Sequence, residues 1–129
     1  MLTLVRRSQY GSTTRLGVEE TELTLSGATT TWTNAIPAGV DVLGVTTRVT
    51  ANITGASGYQ VGDGTDVDRW ADVSLTTLGD TTDMSDFTDL NRHIYTAQTS
   101  IVITAKTSDF TGGTLRVTLH YLDVRAATA

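Results

Sequence analysis

The chain has 129 residues, a formal charge of −5 and no cysteine. That length suits one domain with one core, and the missing cysteine excludes disulfides, thiolate metal sites and cysteine nucleophiles. No apolar run approaches the ~20 residues of a membrane helix, and a net acidic domain has no field to attract a phosphate backbone, so neither membrane nor nucleic acid is an expected partner.

The chain opens Met1-Leu-Thr-Leu-Val-Arg-Arg7, with its basic pair behind the apolar residues. That order is the reverse of a secretory signal, so the expectation is synthesis in the cytosol and delivery by assembly rather than export. Charge is unevenly spread: residues 1–17 carry Arg6, Arg7 and Arg15 and no acid, while the remainder carries six bases and fourteen acids. Residues 1–20 read as an N-terminal arm with a weak strand pattern at 2–6. Arg6, Arg7 and Arg15 are its candidate partner-binding residues, suited to an acidic neighbour; the plainer reading is that they serve solubility. Residues 21–125 form the expected domain and 126–129 a tail.

Threonine is the commonest residue, and many threonines alternate with Val, Leu and Ile. β-branched residues suit extended backbone, and Thr suits the solvated face of a strand. Weak strand patterns fall at 21–26 and 29–33. The first strong one spans 42–54, where Leu43, Val45, Val49, Ala51 and Ile53 are expected on one face and Thr46, Arg48, Thr50 and Asn52 on the other. Short strands are expected at 59–62, 72–76 and 93–97. Two further strong ones follow: in 100–106, Ile101, Ile103 and Ala105 oppose Val102, Thr104 and Lys106. In 114–122, Leu115, Val117, Leu119 and Tyr121 oppose Arg116, Thr118 and His120. Gly-rich turns separate the segments and no helical period appears, which predicts an all-β antiparallel sandwich, of jelly-roll or carbohydrate-binding-module type.

Between residues 63 and 89 lie eight aspartates offset only by Arg69. Asp63, Asp66 and Asp68 offer the hard oxygens that Ca²⁺ prefers, and they are the candidate metal ligands. The run lacks the glycine that a helix–loop–helix calcium loop places sixth, and aspartates also cap turns, so turn chemistry and an acidic docking surface stand beside the metal reading. His93 and His120 belong to no nucleophile–base pattern; His120 is expected on the outward face of its strand, and the chain is not expected to be an enzyme. Trp32 and Trp70 lie near turns. Exposed, they would make a glycan-binding platform beside the 63–68 loop; buried, they would close the ends of a β-core.

Three motifs occur in a familiar order: Ala35-Ile-Pro-Ala-Gly39-Val-Asp-Val-Leu-Gly44-Val, then Val61-Gly-Asp-Gly-Thr-Asp-Val-Asp-Arg69-Trp, then Phe110-Thr-Gly-Gly-Thr-Leu-Arg-Val-Thr-Leu-His-Tyr121. Over roughly residues 21–122 this order resembles the C-terminal β-domain of a family of prophage and gene-transfer-agent virion proteins, associated with head-spike or tail-appendage parts. The resemblance implies a sandwich on the outside of a phage-like particle, made in the host cytoplasm. It brings no catalytic residues. Longer members have a large N-terminal region where this chain has residues 1–20, which favours a small decoration or adaptor subunit.

The resulting expectation is a bacteriophage virion structural protein, a capsid decoration or cement protein or a head-spike-base subunit. It would dock on the major capsid protein or other virion proteins through its arm and sheet edges, as a homo-oligomer, with a trimer suiting a lattice three-fold. The alternatives are a glycan-binding adhesin module of a head fibre or tail, contacting a host surface glycan, and a tail-tip or tail-tube subunit.

Overall fold

The structure, a computed structural model, describes residues 2–7 and 13–125, with side chains from residue 16 onward. Ten strands follow in order: β1 (Leu2–Arg7), β2 (Thr13–Thr24), β3 (Thr29–Ile36), β4 (Val40–Thr54), β5 (Tyr59–Gly62), β6 (Ala71–Val73), β7 (Thr81–Thr82), β8 (His93–Tyr95), β9 (Thr99–Ala105) and β10 (Gly112–Asp123). The larger sheet runs β1-β2-β10-β4-β7, with β8 also pairing β4; the smaller runs β3-β9-β5-β6. All pairs are antiparallel. The expected antiparallel sandwich is the fold observed.

The core lies between the sheets. Val45 and Val49 of β4 and Leu115, Val117 and Leu119 of β10 meet Tyr59, Val61, Ile101 and Ile103 from the smaller sheet, all fully buried. Each contributes roughly 1.5–3 kcal/mol of hydrophobic stabilisation, against which ordering entropy is set. One polar pair sits among them: the Tyr59 hydroxyl and Thr47 Oγ1 are 2.7 Å apart, and Thr47 Oγ1 is also 2.7 Å from Thr82 Oγ1. Burial pushes the Tyr59 phenol up to about 12. These contacts satisfy hydroxyls that would otherwise be buried without partners.

β9 and β10 show the expected alternation. β4 departs from it. Leu119 pairs Val45 and His120 pairs Gly44, but Tyr121 pairs Val42, so the register skips Leu43. This is a β-bulge: one extra residue turns outward, and every side chain beyond it changes face. Val42 is therefore buried at 3% exposure and Leu43, expected inside, is 39% exposed. Two more shifts follow towards the end of β4: the one between Thr114 and Leu115 leaves Ala51 half-buried, and the one between Gly112 and Thr114 brings Ile53 back inward. Among the smaller differences, β6 ends at Val73 and β8 at Tyr95, and the two-residue β7 is too short to leave a period in the sequence.

The backbone of residues 13–24 is one strand, paired along β10 from Arg15↔Asp123 to Thr24↔Thr114, so the boundary expected between 20 and 21 falls inside β2. Gly17 lies against Tyr121, where an added Cβ would stand 2.2 Å from the ring. Only glycine permits that approach. Residues 8–12 of the expected arm, the 126–129 tail and the side chains of Arg6, Arg7 and Arg15 lie outside the described residues.

Candidate functional site

The 63–69 loop begins where β5 ends. Asp63 Oδ1 accepts the amides of Thr65 at 3.1 Å and Asp66 at 2.8 Å, the Asx-type turn that aspartate provides. Its other oxygen accepts Arg69 Nε at 2.8 Å and the Tyr95 hydroxyl at 2.6 Å. Arg69 Nη1 then donates to Asp89 at 2.8 Å. Burial alone would raise the Asp63 carboxyl, but Tyr95, the Asp66 amide and Arg69 outweigh it and hold it below the ordinary carboxylate range. The Tyr95 phenol is pushed up by burial and by the Asp63 carboxylate. Charge-assisted hydrogen bonds of this kind tie β5, its loop and β8 together.

That network occupies both oxygens of Asp63, the first of the three residues expected to meet a cation; Asp66 Oδ1 faces the Asp68 amide at 3.4 Å. Asp63 already accepts four donors, and among the described residues no three His, Asp or Glu side chains converge as a metal site requires. Ca²⁺ needs six to eight free oxygens, and this donor set does not fit it. Trp70 is 4% exposed and belongs to the core, so no ring face is presented beside the loop; Trp32 is half-buried on the edge strand β3 and packs against the core. His93 stacks at a tilt on Tyr95, ring centroids 4.4 Å apart.

A different surface emerges on the outer face of the larger sheet, at its β4 edge. The ladder pairs of β4 with β8 end at Val42, and those with β7 resume at Thr47. Across this gap the 83–92 segment leaves a groove of about 520 Å³ lined by Leu43, Gly44, Thr46, Asp83, Met84, Phe87 and His120. Phe87 lies on Gly44, where a Cβ would stand 2.6 Å from the ring. Asp83 caps a 3₁₀ turn at Met84–Asp86, accepting the Ser85 amide at 2.8 Å while Asp86 accepts the Asp83 amide at 3.0 Å. A second depression of about 310 Å³ continues past Phe87 to Leu90 and Arg92.

Met84, Leu90 and Ile94 around this edge are 67%, 75% and 58% exposed. His120, expected on the surface, is half-buried with Nε2 3.1 Å from Thr46 Oγ1, and burial lowers its pKa, so it adds no cation at neutral pH. Arg92, which lines the second depression, pairs with buried Asp41, whose Oδ1 has no hydrogen-bond partner among the described residues. The surface thus offers apolar contact area with acidic groups at its rim, a composition suited to holding side chains of another molecule. Sequence reading missed it because the bulge that turns Leu43 outward leaves no mark on the pattern; Gly44 within a strand, a common bulge signal, was the available hint.

No family model matches the chain, and no curated protein matches it. Among solved structures the chain is similar to one in the Cyanophage Pam1 capsid asymmetric unit, with a TM-score of 0.45 and 18% identity over 82% of this chain and 86% of that one.

Proposed function

We propose that this chain is a non-catalytic structural subunit of a phage-type virion, a decoration or cement protein that binds neighbours in the shell through its outer surface. The observation that carries this reading is the apolar edge at β7–β8: Leu43 and Met84 line the groove, Leu90 lines the depression beside it, and Ile94 is exposed on β8. Monomeric soluble proteins rarely leave such a patch bare unless it meets a partner. Burying one such side chain contributes about 1.5–3 kcal/mol, so a few suffice to anchor a standard contact. The order of the three motifs at 35–45, 61–70 and 110–121 supplies the phage context. A rigid sandwich suits this role, since it presents fixed edges at little ordering cost.

The test is made on particles. Virions purified from a strain encoding the chain should contain it in stoichiometric amount, and cryo-electron microscopy should place its density on the outer shell. Particles of normal composition that lack the chain would overturn the proposal.

A further inference from the structure

We infer that copies of this chain associate head to tail, the β1 edge of one copy meeting the β7–β8 edge of the next. The inference rests on the reading of the chain as an assembling subunit and names one of its partners. Its basis is the charge at the two ends of a single sheet. β1 forms one edge of the larger sheet; β7 and β8 lie along the opposite edge. Residues 1–17 hold three arginines and no acid, whereas residues 80–90 hold Asp80, Asp83, Asp86 and Asp89 and no base. Arg69 already holds Asp89 and Arg92 pairs with buried Asp41, so that at this edge Asp80, Asp83 and Asp86 outnumber Arg48, the exposed cation paired across from β7.

Edge geometry agrees. β3 loses its register with β9 between Trp32 and Ile36 at Asn34, whose φ of 56° breaks the strand, and β6 has three residues. Interruption and shortness both blunt an edge against pairing. β1 has six residues and, among the described residues, pairs only with β2. Its sequence, Leu-Thr-Leu-Val-Arg-Arg, is aliphatic and basic, the complement of an apolar groove with an acidic rim. A symmetric contact between like edges would set arginine against arginine or aspartate against aspartate, which is repulsive. Opposite edges attract. A contact between two different patches repeats from copy to copy and closes as a ring where the rotation allows.

Sedimentation velocity on the purified full chain tests this. Wild type should be oligomeric at about 50 mM salt and dissociate towards monomer at about 500 mM, as screened charges require. R6E/R7E on one edge and M84K/L90K on the other should each weaken association about tenfold or more. Mixing the two variants should restore it, because the mixture pairs each altered edge with its new complement and keeps one wild-type contact. Rescue on mixing also shows that both variants are folded. A chain that is monomeric at every salt concentration, or an oligomer indifferent to both variants, would overturn the inference. So would variants that weaken association and stay apart when mixed. If such a monomer is still found in purified virions, only the head-to-tail contact fails and the subunit reading stands.

Discussion

The loops 63–69 and 83–89 begin with the same local chemistry and reach opposite ends. In each, an aspartate at the head accepts the amide two residues on: Thr65 for Asp63, Ser85 for Asp83. Beyond that turn they part. Asp63 is met by Arg69 and Tyr95 and becomes a buried junction. Asp83 is exposed, and its loop spends Phe87 on Gly44 while leaving Met84, and Leu90 just beyond it, outside. The turn is written locally, but whether it becomes structure or surface depends on what the rest of the chain brings to it. Tyr95 comes from 32 residues away.

The sharpest way to break this contrast is Asp63→Ala. Removing one partner of a buried ion pair strands the other, so stability in urea should fall by about 3–5 kcal/mol. A loss comparable to that of an exposed pair would show that the two loops do not differ. Next in size is Gly44→Ala. The new methyl group meets the Phe87 ring, and overpacking of this kind costs about 1–3 kcal/mol. Phe87 should leave its seat and open the groove, visible as a change in the His120 ring resonances; unchanged resonances would place Phe87 elsewhere.

A third prediction concerns pH. Burial depresses the His120 pKa in the folded protein below its unfolded value of about 6.5, so the unfolded chain binds the extra proton first. The stability associated with neutral His120 is complete above pH about 6.5 and declines as pH falls towards the folded value. His120→Gln should flatten that decline in melting curves taken from about pH 7.5 down to about pH 5, a range that spans the ordinary imidazole value. An unaltered slope would mean the ring is solvated. The smallest effect is expected from Asp83→Asn, where the amide oxygen still accepts the Ser85 N–H. The melting temperature should move by a few degrees at most, and a large drop would mean that the second loop is as structural as the first.

Much of the fold was legible because a sandwich imposes period two on any strand with one dry face. Ile101 and Ile103, and Leu115 through Tyr121, obey that rule over their whole length. Residues 42–54 obeyed it without interruption only from Val45 to Val49, because a bulge costs little locally and Leu43 is as apolar as Val42. The Asp63 cluster was legible as turn chemistry, and the calcium alternative arose because a list of carboxylates does not show which donors already occupy them. Trp70 near a turn fitted a plug, the commoner case, as well as a platform; its burial in the core decided between them.

Composition and alternation thus sufficed for an acidic all-β chain with an oily interior and a cationic first segment, because these follow from residue type and spacing alone. Which aspartate is buried, where Leu43 points, and how the groove opens between β7 and β8 depend on pairs of strands meeting across the fold. Register slips and ion-pair partners of that kind are settled by contacts between residues far apart in the chain, and no local pattern encodes them.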